Sequence, residues 1–245
     1  MNSNPNFMAH LITEMPHDRA RQLQALGLDP ARLDHLLGLG WVRPAQAHDA
    51  SALAEIYNQT ALTGRNSPTD SHATVEEMAH MIQRHSRSGW ALWVCLAQQQ
   101  VAGFVLLRPF SWGLLGETAE RAIYISKTWR GIGLGDELMT LCYALAEQYA
   151  YLNVTSWIFS DNPAALALAR KTEHKWAYFP SLARSAGELR AVDVFGSEVG
   201  QWFATAQGRE ARRRQMAAAT QSGDPAATVT LSSNLSLESA LGISS

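Results

Sequence analysis

One segment constrains this chain more than any other. Thr118 to Ile125 alternates as a strand does, and soon afterwards comes Trp129-Arg130-Gly131-Ile132-Gly133-Leu134-Gly135. Asp136 to Tyr149 follows at once. Its apolar residues Leu138, Leu141, Cys142, Leu145 and Tyr149 recur at helical spacing, the best amphipathic pattern in the sequence. Glycines between a strand and a helix start let backbone N–H groups approach a ligand closely. The helix start adds unpaired donors and the positive end of its dipole, so a phosphate or pyrophosphate is the natural guest. A tight turn made for structural reasons alone is the plain alternative. A dinucleotide fingerprint would need G-x-G-x-x-G and a later acidic residue, and a P-loop would need Gly-Lys-Ser or Gly-Lys-Thr. Neither is present.

The elements on either side set a fold class. Trp41 to Pro44 reads as a short strand, and His48 to Tyr57 as a helix capped near Asp49 or Ser51. Residues 58 to 73 read as a polar loop. Thr74 and Glu77 stand at capping-box spacing ahead of Met78, Met81 and Ile82, which predicts a second helix. Ala91 to Leu96 and Val101 to Leu107 make a hairpin across Gln98, Gln99 and Gln100. Beyond the central helix, Val154 to Phe159 is a strand and Pro163 to Lys171 a short helix. Trp176 to Phe179 and Leu189 to Phe195 are the last strands. The order β-α-α-β-β-β-α-β-α-β-β predicts an α/β domain with a mixed sheet.

Flanking segments read differently. In residues 1 to 40, Ala20, Leu23 and Leu26 precede Gly27, and Asp29-Pro30 starts a second helical pattern through Leu33, Leu36 and Leu37. This is a helical arm. Past Phe195 the chain turns helical around Trp202 and Phe203. Residues 215 to 245 lack Lys and Arg and are expected to be a flexible tail. Arg209, Arg212, Arg213 and Arg214 make a short basic run, read as a solvated helix end.

Composition narrows the function. The chain of 245 residues is 47% apolar and 17% charged, enough for a packed core, and its net charge is −2. No basic field draws it to nucleic acid or to anionic lipid, and no apolar run approaches the roughly 20 residues that span a bilayer. No secretory signal is visible, so a cytoplasmic location is expected. Cys95 and Cys142 lie in apolar segments without metal-ligand spacing and are read as reduced core thiols. No metal is expected.

The spacing R-x-x-G-x-G, spelled Arg130, Gly133 and Gly135, resembles the first signature of the GNAT superfamily of acyl-CoA-dependent N-acyltransferases. The strand and helix order over 41 to 196 matches that fold too. The resemblance implies a mixed, mostly antiparallel sheet flanked by helices, with 1 to 40 and 197 to 245 as extensions. It implies that the backbone of Arg130, Gly131, Ile132, Gly133, Leu134 and Gly135 holds the pyrophosphate of acetyl-CoA. Ile123 and Ile125 on the preceding strand, and Asn162 in Asp161-Asn162-Pro163, would contact the rest of the donor. For Asn162 a helix cap is the parallel reading.

Within GNATs, Ile56-Tyr57-Asn58, Arg108-Pro109-Phe110 and Glu120 four residues before Tyr124 resemble the phosphinothricin acetyltransferase group. That resemblance implies a small amino-acid-like amine as acceptor, with Glu120 as general base and an oxyanion held by a backbone N–H between Tyr124 and Ser126. Along the strand Glu120, Ala122 and Tyr124 share a face, while Ile123 and Ile125 take the other. Beside an apolar wall the Glu120 carboxyl would be raised towards a useful range for a base; an ion pair with Arg121 or another arginine is the alternative. Arg65, Phe110 and Arg184 are expected to frame the acceptor, with the two arginines holding a substrate carboxylate. A homodimer is left open.

Two departures from the family pattern stand out. The usual thiolate proton donor position is Ala169, with Tyr178, His174 or water as substitutes, and the usual Gly-Phe is replaced within Thr172-Glu173-His174-Lys175-Trp176. They keep two other readings in play: a protein or peptide acetyltransferase, and a weakly catalytic acyl-CoA-binding regulatory module.

Overall fold

Alternating strand sequences produce a sheet with two buried faces. In the computed structural model, residues 41–61, 72–110, 117–185, 188–211 and 213 are described. Seven strands lie in the order β1-β2-β3-β4-β5-β7-β6. They are β1 (Trp41–Pro44), β2 (Ala91–Ala97), β3 (Gln100–Pro109), β4 (Thr118–Ile125), β5 (Asn153–Phe159), β6 (His174–Ser185) and β7 (Glu188–Glu198). All neighbours are antiparallel except β4 and β5, which are parallel. The helices are α1 (Ala50–Ala61), α2 (Val75–Ser88), α3 (Leu134–Gln148), α4 (Pro163–Ala169) and α5 (Val199–Phe203). This is the expected α/β order, with a mostly antiparallel sheet flanked by helices. The expected arm over 1 to 40, Arg65 with its loop over 62–71, and the tail lie outside the described residues.

Strand β2 shows how the two faces are filled. Trp93 and Cys95 point to the side of α3 and α5, while Leu92, Val94 and Leu96 point to the side of α1 and α2. Between β2 and β3 the chain turns through Gln98 and Gln99, both at positive φ, the geometry that matches strand twist in a two-residue hairpin. Helix α2 has the predicted box: Thr74 Oγ1 accepts from the Glu77 amide at 3.1 Å, and the Thr74 amide donates to Glu77 Oε2 at 2.8 Å. Both cysteines are buried and neither is in a disulfide, and burial pushes the Cys142 thiol up to about 12. No described helix is long and apolar enough to cross a membrane.

The last two strands exceed the expected Trp176 to Phe179 and Leu189 to Phe195. β6 is irregular between Lys175 and Ala177 and again between Phe179 and Ala183, so its alternation is broken and its length is hidden. At the first irregularity Trp176 lies over Gly196 of β7. A Cβ on Gly196 would sit 2.6 Å from the indole, closer than packing allows.

The boundary placed at residue 196 falls inside β7, and the chain beyond it joins the main core. Trp202 of α5 is fully buried and stacks on Tyr143 of α3, with ring centroids 4.4 Å apart and planes 4° from parallel. Phe203 and Ala211 join the same cluster. Replacing Trp202 with Ala is therefore expected to cost about 3–5 kcal/mol, read as a lower midpoint in urea unfolding.

Candidate active site

The site begins where two parallel strands separate. β4 and β5 pair only over Thr118↔Asn153, Ala119↔Val154 and Glu120↔Thr155. Beyond that point β4 continues to Ile125 beside β3, and β5 continues to Phe159 beside β7. A fork opens between them. Its β4 edge can be read residue by residue. The Phe110 amide bonds the Thr118 carbonyl and the Ser126 amide bonds the Ala102 carbonyl, so even-numbered residues direct their backbone groups at β3. The Glu117 carbonyl accepts from Leu152, on the β5 side. Arg121, Ile123 and Ile125 therefore present their backbone to the fork. Of the oxyanion span Tyr124 to Ser126, Tyr124 faces β3 and Ser126 is engaged, which leaves the amide of Ile125.

The glycine loop closes the open end of this fork. Lys127–Trp129 forms a 3-10 turn, and Gly131 and Gly133 then take φ of 78° and 90°, where other residues are strained. Gly133 caps α3, which starts at Leu134, two residues before the expected Asp136. The amides of Gly131, Ile132 and Gly133 donate to no described residue, and a Cβ on Gly131 would meet open space. Arg130 turns its side chain back, with Nε donating to the Ile125 carbonyl at 2.9 Å. Leu134 is buried, and Gly135 lies against Leu168 of α4 and Ile125 of β4. The motif thus joins three elements at the fork and leaves backbone donors available.

Glu120 stands at the last paired position before the fork. Its environment differs from the apolar wall expected of it, because Arg108, opposite it on β3, donates to its Oε2 from Nε at 3.0 Å and from Nη2 at 2.8 Å. The partner is Arg108 and not Arg121, because Arg121 projects to the other face. The Glu120 side chain remains 28% exposed. Tyr124, on the same face, stacks on Phe104 at 4.7 Å and meets Tyr57 at 5.4 Å. Burial pushes its phenol up, with the Tyr57 and Glu120 charges adding to the shift, so it stays protonated near neutral pH.

Beyond Thr155 the same face is aromatic, with the expected Phe110 on it and Trp157 as the residue the sequence reading missed. Phe110, Trp157 and Phe179 lie in near-parallel succession, with centroids 6.1 and 5.9 Å apart. Trp157 and Phe179 are 39% and 37% exposed. Period-2 spacing from Thr155 to Trp157 was the available signal. Arg184 is not gathered here. It is exposed and pairs with Leu189 in the hairpin, out of phase with Arg190, whose guanidinium lies over Phe159 on the aromatic face.

Asn162 caps α4: its Oδ1 accepts from the Ala165 amide at 3.1 Å, and Pro163 follows at N1. Ala169 is fully buried among Ile158, Leu166 and Phe195. His174 and Tyr178 on β6 are exposed, and Lys175 Nζ sits over the Tyr178 ring.

One buried ionic group completes the surroundings. Arg121, the first β4 residue past the fork, donates from Nε and Nη2 to the two oxygens of Glu173 at 3.0 and 2.6 Å. The Tyr143 hydroxyl donates to Glu173 Oε1 at 2.8 Å. Burial works against the Arg121 charge, but Glu173 outweighs it and holds the guanidinium above its ordinary value.

Comparison with known proteins places this architecture. Residues 41–174 match the family model for the acetyltransferase (GNAT) domain, and the chain belongs to that family. Membership makes it an acyltransferase. An N-acetyltransferase from Staphylococcus aureus Mu50 superposes with TM-score 0.62 at 20% identity, covering 65% of this chain and 98% of that one. A phosphinothricin acetyltransferase from Sinorhizobium meliloti, solved in complex with AcCoA, gives 0.62 at 21% identity, covering 68% and 91%. A ribosomal-protein-alanine N-acetyltransferase from Brucella melitensis gives 0.62 at 20%, covering 64% and 98%. At these identities the likeness is one of fold. No curated protein matches the chain.

The backbone of Gly133 has a direct consequence. With φ at 90°, a Gly133→Ala change is expected to cost roughly 1–2 kcal/mol. Thermal unfolding would show it as a fall in Tm, whereas Gly200→Ala, at ordinary φ and facing open space, should lower Tm little.

Proposed function

We propose that this chain is an acetyl-CoA-dependent N-acetyltransferase that transfers the acetyl group directly to the amine of a small amino-acid-like substrate. The observation that carries the reading is the meeting, at one fork, of a carboxylate, an open strand edge and a loop whose amides donate to no described residue. The amides of Gly131, Ile132 and Gly133, at a helix start, suit a pyrophosphate. The backbone edge of Ile123 and Ile125 suits the pantetheine arm, and Asn162 caps the helix on the opposite side. The donor supplies a thioester, already activated towards an amine.

Glu120 then takes the proton that the acceptor amine must lose, directly or through a water. Arg108 engages only Oε2 of Glu120, so the carboxylate is oriented while Oε1 remains for the amine. The Ile125 amide holds the oxygen that gains charge as the amine adds. Ala169, enclosed in its cluster, has no proton to donate to the leaving thiolate, and solvent supplies one in its place. Much of the acceleration comes from holding two reactants together in the fork.

The acceptor lies on the face of Glu120, where Phe110, Trp157 and Phe179 continue the surface. The Sinorhizobium phosphinothricin acetyltransferase supports a small-molecule acceptor, and Arg65 is retained as a proposed carboxylate contact. Acetyl-CoA consumption over a panel of amines tests the reading. Glu120→Gln should lower kcat by about 10²–10⁴-fold while calorimetric CoA binding stays unchanged. An unaltered rate would remove the base assignment. Trp157→Ala should raise the acceptor KM about tenfold with the acetyl-CoA KM held, since one aromatic contact contributes on the order of 1–3 kcal/mol.

A further inference from the structure

Glu173 belongs to Thr172-Glu173-His174-Lys175-Trp176, one of the two places where the chain departs from its family's pattern, and the reaction scheme above leaves it unused. It is fully buried, and its Arg121 partner is 5% exposed. Arg121 stands on the β4 arm of the fork, and Glu173 stands in the turn between α4 and β6. Arg121 is the first β4 residue without a β5 partner and still pairs with Leu107 of β3. Glu173 belongs to the segment that follows the β5 arm through α4, and its amide bonds the Ala169 carbonyl at 2.9 Å. The third member, Tyr143, rises from α3 beneath the fork and is held flat against Trp202. The group thus ties the β4 arm to the segment that follows the β5 arm, and both to the helix whose first turn carries the glycine loop.

Stability alone is a poor reason for such a group. Taking two charges out of water costs several kcal/mol per ion, and apolar residues of similar volume are often as stable or more so. What a two-point guanidinium–carboxylate contact adds is a fixed distance and a fixed direction. Arg121 lies between Glu120 and Ile123. Holding its side chain on the α3 face therefore fixes the backbone that aims Glu120 to one face and the Ile123 and Ile125 amides into the fork.

We propose that Arg121 and Glu173, steadied by Tyr143, are positioning residues that set the spread of the β4–β5 fork for the acyl donor. The proposal rests on the fork being the donor site. The ion pair touches no reacting atom. It acts by holding the two strand edges at the separation the donor requires, and a small misplacement at such a site is costly.

The test compares the full-length wild type with the double variant Arg121→Met/Glu173→Leu, which leaves no charge stranded, and with Tyr143→Phe, which keeps the ring stack and both charges. Tm, the calorimetric Kd for CoA, and the KM values of both substrates are measured. For the double variant, Tm within a few degrees of wild type is expected, with CoA Kd and acetyl-CoA KM weakened about tenfold and acceptor KM within about twofold. Tyr143→Phe should weaken CoA binding in the same direction by a smaller factor. A folded double variant that binds CoA as wild type does overturns the positioning role. If the double variant does not fold, an unchanged CoA Kd in Tyr143→Phe overturns it equally. Wild-type protein that binds no CoA overturns the donor site itself, and the positioning role with it.

Discussion

The architecture depends on one break in backbone hydrogen bonding: β4 and β5 pair over three positions and then part. A strand edge released inside a sheet has polar groups that must find partners, from ligand, water or side chain. Here the Ile125 carbonyl is taken by Arg130, and the neighbouring amides are left facing a gap. The rest of the domain answers to that gap. The glycine loop closes one end, Glu120 stands at the apex, α3 runs beneath, and the buried Arg121–Glu173 pair ties the sides. Burying those charges is tolerable because Nε and Nη2 of Arg121 and both oxygens of Glu173 have directed partners.

Much of this is legible in the sequence because it is local. Periods of 2 and 3.6 place the strands and helices in order. The capping box at Thr74 and the glycines at 131 and 133 mark their own geometry through rules that span only a few residues. Strand alternation puts Glu120 on one face and Ile123 and Ile125 on the other, whereas the open backbone edge of the two isoleucines follows from the pairing with β3.

What the sequence hides is non-local. Glu120 meets Arg108 across a β-ladder, and Arg121 meets Glu173 across 52 residues, with no spacing rule to announce either. The segment after residue 196 reads as an appendage because a short helix carries little periodicity. Its Trp202 becomes part of the core only when α3 brings Tyr143 beneath it. The lengths of β6 and β7 are obscured for a related reason. Irregular pairing disrupts the alternation by which a strand is recognised, and the aromatic face they help to build is obscured with it.

The contact of Trp176 with Gly196 bears on how this surface can diverge. The indole fills the volume that any side chain on Gly196 would need. As long as the tryptophan is present, Gly196 admits no substitution without displacing the ring. Once the tryptophan has been replaced by something smaller, Gly196 is released. The two positions are therefore coupled: a side chain at 196 requires the half-exposed indole either to swing outward or to give way to something smaller.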